Sequence, residues 1–173
     1  MKFFLFLFLS VLTLFAHPHT FIEVHPTIRI LNNSFEKIHF DWKIDEMTSS
    51  MLLMELDQNG DGKIDNHEST NAYKNYFLVF ENYNYYTFIK VDGKAVDFPK
   101  PKNFQASIQN HKVCYSFDID LKTQANKTVL EFGDTDFYVA MTLKEEFVDM
   151  KGAKAKTLGV DNDFYYGYRL EIE

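Results

Sequence analysis

Alternation of apolar and polar residues along most of the chain predicts β-strands. In the segment 39–44 every second side chain is apolar, starting with Phe40, which is typical of a strand with one buried face. Asp92-Gly93 lies between two such segments and indicates a tight hairpin turn. The pattern predicts about eight strands, near residues 28–31, 39–44, 86–91, 94–98, 113–119, 128–132, 137–143 and 166–172. Short strands separated by turns favour a mainly β (α+β) fold built as a β-sandwich.

A helical period replaces the strand period in a single stretch, at about residues 45–83. We expect one helix over residues 45–56 and a second over about 68–83, inserted between two strands of the same domain. Met47, Met51 and Met54 recur on one stripe of the first helix. We expect this stripe to pack the helix onto the sheets, and the alternative is a groove that calcium exposes to a target.

The start of the chain has the pattern of a secretory signal peptide. Lys2 precedes the apolar segment 3–15, and Ala16 offers a small residue at a cleavage position. A membrane span needs about 20 apolar residues, so the segment is short for a retained span. We therefore expect a signal peptide over residues 1–16 and one domain over residues 17–173.

Charge and cysteine content narrow the compartment and the partners. The 173-residue chain has a formal net charge of −7, which argues against nucleic acid as a partner. Cys114 is the single cysteine, so no disulfide can form within the chain. A small exported protein without disulfides is more typical of a bacterial periplasm than of an animal secretory pathway.

Residues 57–68 match the twelve-residue calcium loop of an EF-hand. Gly62 stands at position 6, where the loop turns sharply, and Ile64 is the usual apolar residue at position 8. Calcium takes six to eight oxygen ligands, and this order of residues supplies them around one point. The predicted ligands are Asp57, Asn59, Asp61, the carbonyl of Lys63, Asp65 and Glu68.

Cleavage after Ala16 would leave His17-Pro18-His19 at the new N-terminus. The α-amine and imidazole of His17 can chelate a transition metal, and His19 points to the same side of an extended chain. Pro18 lacks an N–H, so the remaining geometry resembles a histidine brace, and imidazole suits Zn²⁺, Ni²⁺ and Cu²⁺. His25 and His39 are candidate additional ligands. The alternative is that these histidines are solvated polar residues.

Seven segments of the chain together carry a resemblance that covers nearly all of it after residue 16. They are 17–19, 41–42, 45–46, 50–52, the calcium loop, 86–94 and 136–140. In these segments the chain resembles an uncharacterised bacterial periplasmic family, whose members are often labelled periplasmic components of ABC-type transport systems. Many members are associated with nickel, cobalt or zinc transport proteins. The resemblance implies a periplasmic, metal-related accessory protein and brings no established activity.

Three function classes remain open at this point. The first is a calcium-binding, metal-binding accessory of a transition-metal (Ni, Co, Zn or Cu) transport system, acting beside a membrane metal transporter. The second is a calcium-stabilised structural or interaction module with no second metal. The third is a copper enzyme with a histidine brace, which we expect least, because the chain has no other pattern typical of catalysis.

Overall fold

The computed structural model describes residues 19–121, 123 and 127–172. Two α-helices are present in these residues, α1 (Glu46–Leu56) and α2 (Asn66–Ala72). Residues 1–18 lie outside them, so the expected signal peptide, His17 and Pro18 are not described. The strands are β1 (Thr20–Leu31), β2 (Ser34–Ile44), β3 (Thr87–Val91), β4 (Lys94–Val96), β5 (Lys102–Gln109), β6 (Lys112–Ile119), β7 (Thr128–Gly133), β8 (Val139–Thr142), β9 (Asp149–Lys151), β10 (Ala155–Asp161) and β11 (Tyr166–Ile172).

The strands form two sheets. The larger sheet has the order β5-β6-β2-β1-β8, with β9 also paired to β1, and the smaller has the order β10-β11-β7-β3-β4. Most pairs are antiparallel, whereas β8 and β9 both run parallel to β1. The β-rich α+β fold predicted from the residue pattern is therefore confirmed. The strands β5, β9 and β10 were not predicted.

Buried aromatic side chains connect the two sheets. Phe40 of β2 lies edge-on to Phe132 of β7, with ring centroids 6.1 Å apart. On the same strand, Trp42 meets Phe117 of β6 at 5.1 Å. All four rings are almost fully buried, and burial of each such side chain stabilises the fold by roughly 1.5–3 kcal/mol. The alternation that predicted the strands is the alternation that fills this core.

The helical segment joins β2 of the larger sheet to β3 of the smaller one. Helix α1 begins one residue after Asp45, whose carboxylate caps the N–H groups of Met47 and Thr48. The second predicted helix is α-helical only to Ala72 and continues as a π-helical turn (Tyr73–Phe77) and a 3₁₀ segment (Leu78–Tyr86). A π turn holds one residue more than an α turn, so the apolar spacing alone overestimated the α-helix.

Two buried serines attach the helices to the larger sheet. Ser49 Oγ of α1 accepts the N–H of Val113 at 2.9 Å and donates to the carbonyl of Ile44 at 3.0 Å. Ser69 Oγ of α2 accepts the N–H of Ala106 in the edge strand β5 at 2.9 Å. These bonds satisfy buried strand donors that would otherwise lack a partner. The segment between α1 and α2 is therefore held between two anchored helices.

The methionine stripe of α1 does not pack onto the sheets as expected. Met47, Met51 and Met54 are 63%, 53% and 77% exposed. The reason is that Leu52, Leu53 and Leu56 occupy the face of α1 that contacts the core. A helix that is apolar on both faces has no unique buried stripe in its sequence, so the pattern alone could not choose between the faces.

Candidate metal centre

The loop between α1 and α2 is organised by its own side-chain oxygens. Gly60 and Gly62 adopt positive φ angles of +72° and +77°, which residues with a Cβ rarely adopt. Asp57 Oδ1 and Asn59 Oδ1 both accept the N–H of Asp61, at 3.1 and 2.8 Å. Two of the predicted ligand oxygens therefore lie against the same backbone nitrogen, on the inner side of the turn.

Side-chain oxygens also accept the backbone N–H groups further along the loop. Asp57 Oδ2 accepts from the N–H of Gly62 at 2.9 Å, and Asp61 Oδ1 accepts from the N–H of Lys63 at 2.9 Å. Asp65 is the N-cap of α2, where its Oδ1 accepts the N–H groups of His67 and Glu68. The loop thus ends in a capping box between Asp65 and Glu68.

Glu68 connects the two ends of the loop. Its Oε1 accepts the N–H of Gln58 at 2.9 Å and of Asn59 at 3.4 Å, and its Oε2 accepts the N–H of Asp65 at 2.9 Å. The side chain is only 3% exposed. Among the described residues, no Lys, Arg or His lies within ion-pair distance of this carboxylate. Its negative charge is met by backbone dipoles alone.

The donor set fits a hard cation. The predicted ligands are four carboxylates, the Asn59 amide oxygen and the Lys63 carbonyl, and oxygen donors of this kind suit Ca²⁺. An ionised carboxylate has about four acceptor positions, so the hydrogen bonds above leave positions free at the aspartates. Within the described ranges, however, no three or more His, Cys, Asp or Glu side chains converge as a metal-binding group. The carboxylates are arranged along the loop rather than drawn to one point.

The structure describes one of the two N-terminal histidines. His19 is exposed, its ring stacks on Tyr138 with centroids 5.9 Å apart, and its N–H donates to the Tyr138 carbonyl at 2.8 Å. His25 follows six residues later, near the middle of β1, which places it about 20 Å away along an extended strand. His25 therefore cannot share an ion with His19, and the expectation that it adds a ligand there is wrong.

His25 and His39 belong to a polar network on the larger sheet. His39 Nδ1 lies 2.6 Å from Asp118 Oδ1, and its Nε2 lies 3.4 Å from Asp41 Oδ1. His25 Nε2 lies 3.5 Å from Glu23, and its ring stacks on Phe147 at 4.1 Å. Burial is the main cause that lowers the pKa of His25. His39 is thus a strand residue with two carboxylate partners, whereas His25 Nε2 is buried and makes no hydrogen bond to a described residue.

A buried ion-pair cluster on the smaller sheet was not foreseen. Glu131 of β7 accepts from Arg169 Nε at 2.8 Å and from the Tyr165 hydroxyl at 2.9 Å, and Lys90 Nζ lies 3.4 Å away. Burial opposes ionisation, but these partners outweigh it and lower the pKa of Glu131. The partners are 34 to 41 residues from Glu131 in the chain, so no local sequence pattern predicts the cluster.

Fold and loop together define a β-rich α+β protein with an acidic loop between two helices. The chain belongs to the family described as "Protein of unknown function (DUF1007)", whose model matches residues 2–159. Among the residues described, no helix is long and apolar enough to cross a membrane.

Two curated relatives carry no functional name. An "Uncharacterized protein" of Haemophilus influenzae is 32% identical over 138 residues, which is 73% of this chain and 63% of that protein. An "Uncharacterized 15.5 kDa protein in trpE 3'region" of Spirochaeta aurantia is 32% identical over 97 residues, covering 54% of this chain and 69% of the relative. The chain thus spans less than two thirds of the Haemophilus protein. No solved structure matches it.

Proposed function

We propose that this protein is an exported, periplasmic calcium-binding protein that serves as a metal-binding accessory of a transition-metal (Ni, Co, Zn or Cu) transport system. In this proposal the two sheets form a β-sandwich, and residues 57–68 form an EF-hand loop that binds one calcium ion. His17 and His19 bind a transition metal after removal of residues 1–16. The partner is a membrane metal transporter.

The observation that carries the proposal is the state of Glu68. It is 3% exposed, and no described cationic side chain accompanies it. Three further carboxylates, those of Asp57, Asp61 and Asp65, share the loop with a single cation, Lys63. Burial of a charge without a counter-charge is unfavourable, even where backbone N–H groups bind it, and like charges within one short loop repel one another. A divalent cation at the loop would remove both costs.

Calcium would act on the N-terminal segment through α1. The first turn of α1 and the start of β1 are joined by two bonds between Asp45 and Phe21, the Asp45 N–H to the Phe21 carbonyl and the Phe21 N–H to Asp45 Oδ2, both 2.9 Å. His19 lies two residues before Phe21. An ion that fixes the loop after Leu56 would therefore also fix the helix to which the strand after His19 is bonded.

The test of the calcium site is titration of calcium into the exported protein, followed by calorimetry. We expect one ion per chain with a dissociation constant of roughly 10⁻⁴–10⁻³ M, as in extracellular modules. Glu68→Gln should abolish this binding, because it removes the carboxylate that grips the ion with two oxygens. Glu55→Gln, on the exposed surface of α1 outside the loop, is the matched control and should bind as the parent does. Unchanged affinity in Glu68→Gln would contradict the loop as the site.

The transition-metal part of the proposal is tested separately with Ni²⁺, Zn²⁺ and Cu²⁺. We expect the protein that begins at His17 to bind more tightly than the same protein with one added N-terminal Gly, because the added residue displaces the chelating amine. His17→Ala should weaken binding further, and His25→Ala, about 20 Å from His19, should not. Equal affinity in all these forms would exclude the N-terminus as the site and favour a calcium-stabilised interaction module.

A further inference from the structure

The face of α1 that turns away from the sheets is built from methionine. Met47, Met51 and Met54 are 63%, 53% and 77% exposed, and no other large apolar side chain of α1 is comparably exposed. The protein has 6 methionines, and half of them stand within these eight residues. The inner face of the same helix uses leucine, at Leu52, Leu53 and Leu56. Thioethers outside and hydrocarbons inside are therefore separated on one helix.

The spacing places the three methionines on one strip of the helix. At 3.6 residues per turn, positions 47, 51 and 54 fall within an arc of about 60°, and they follow one another at about 6.0 and 4.5 Å along the axis. Each methionine side chain has three rotatable bonds beyond its Cα and adapts easily. The outer two side chains can bend toward the middle one without any change in the helix.

We propose that Met47, Met51 and Met54 form a binding site for Cu(I). Thioether sulfur is a soft donor that selects Cu(I) over hard cations, and it carries no proton that must leave before binding. Leucine would serve equally well on a face that only packs against a partner. The site is separate in chemistry from the calcium loop, whose donors are all oxygens.

The methionine face begins close to His19. Thr48 Oγ1, next to Met47, donates to Thr20 Oγ1 at 3.3 Å, and Thr20 follows His19 directly. The inference rests on the proposed metal-handling role for its purpose, and it adds monovalent copper to the metals that the protein takes. Binding of Cu(I) at the thioethers requires neither calcium nor the free amine of His17.

The test is a competition for Cu(I) between the exported protein and a chromogenic Cu(I) chelator, under anaerobic, reducing conditions. We expect one Cu(I) per chain, with sulfur neighbours visible in X-ray absorption. Met51→Leu keeps the apolar volume and removes the central sulfur, so affinity should fall by about ten-fold or more, equivalent to 1.4 kcal/mol. The triple Leu variant of positions 47, 51 and 54 should lose the sulfur signal.

Met150→Leu is the matched control, since Met150 lies on β9 and not on α1, and it should leave Cu(I) affinity unchanged. Absence of Cu(I) binding, or equal affinity in the triple Leu variant, would overturn the site. Neither result would bear on calcium at Glu68 or on Ni²⁺ at the N-terminus, because those are measured with other metals. Loss of Cu(I) in the triple variant, with calcium binding intact, would support it.

Discussion

Glu68 in the acidic loop and Glu131 on β7 are both almost completely buried, at 3% and 5% exposure, yet their charges are met differently. Glu131 accepts hydrogen bonds from Arg169 and from the Tyr165 hydroxyl, and it also forms an ion pair with Lys90. Glu68 has only the backbone N–H groups of its own loop. Within the described part of the chain, a counter-charge accompanies Glu131 and none accompanies Glu68.

The difference indicates which carboxylate is structural and which is open to an ion. A buried carboxylate beside an arginine is already neutralised, so an added cation would be repelled from it. The loop that ends at Glu68 carries three further carboxylates against one lysine, and this excess of negative charge attracts a cation. Helix α2 and strand β7 therefore bear two different kinds of buried acid, and the residue pattern showed neither the burial of Glu68 nor the ion pairs of Glu131.

Asp134 is a third buried carboxylate that can be compared with Glu68. It is also buried, at 4% exposure, and it accepts only backbone N–H groups, from Asp136, Tyr138 and Val139. Backbone donors alone can thus satisfy a buried carboxylate in this protein. What separates Glu68 from Asp134 is the presence of three aspartates in the same short loop, so calcium should distinguish the two residues.

The largest effect is expected for Glu131. Replacement Glu131→Ala leaves Arg169 and Lys90 without their shared partner and should cost about 3 kcal/mol of unfolding free energy, measured by urea denaturation. Glu171→Ala is the matched control, because Glu171 contacts the same arginine at 3.5 Å from a more exposed position, and it should cost less than about 1 kcal/mol. Similar losses in both variants would mean that burial does not determine how much these ion pairs contribute to the unfolding free energy.

The same cluster predicts an acid-labile part of the stability. The partners lower the pKa of Glu131 despite its burial, so the native state releases this proton more readily than the unfolded chain. The contribution should be complete above about pH 4.3, the unfolded value for Glu, and be lost as the pH falls through the lower native value. Glu131→Ala should therefore differ most from the parent at neutral pH and least in acid.

The second largest effect is expected in the stabilisation by calcium, which should differ between Glu68→Gln and Asp134→Asn. Free calcium at a hundred times its dissociation constant should stabilise the parent by about 2.7 kcal/mol, and Glu68→Gln should lose that gain. Asp134→Asn should be destabilised equally with calcium and with a chelator, because its partners are backbone groups of another turn. Thermal unfolding of the three proteins in both conditions measures this. Equal calcium responses in the parent and Glu68→Gln would refute the assignment of the loop.

Sequence patterns predicted the fold in segments where the apolar residues follow one regular spacing. The alternation in β1 and β2 marked their buried residues, and Asp45, directly before α1, proved to be the N-cap of that helix. The π turn after Ala72 was missed because apolar spacing cannot show an inserted residue. The short strand β9 was missed because its three residues are too few for a period.

The site residues likewise fall into those that the sequence predicted and those that it did not. The loop residues Asp57–Glu68 were predictable because their donors are adjacent in the chain and each has a fixed position in the motif. The partners of Glu131 were not, since three separate strands and a loop bring them together. The exposure of Met51 was also beyond the pattern, because only the packed structure decides which apolar face of α1 meets the core.

The smallest expected effect concerns Asp45, a half-buried carboxylate that, like Glu68, accepts backbone N–H groups but has water to share its charge. It accepts from Phe21, Met47 and Thr48, and these bonds outweigh partial burial and lower its pKa. Asp45→Ala should cost about 1 kcal/mol by loss of the N-cap, and this loss should shrink in acid below about pH 3.9, the unfolded value for Asp, and vanish once the pH has fallen through the lower native pKa. Glu46→Ala, at the next and exposed position, is the control and should stay within about 0.5 kcal/mol. Because Asp45 also holds the start of β1 to α1, Asp45→Ala should loosen His19, and faster hydrogen exchange at the His19 N–H, which donates to Tyr138 and not to Asp45, would show it. Unchanged exchange there would mean that α1 does not position His19.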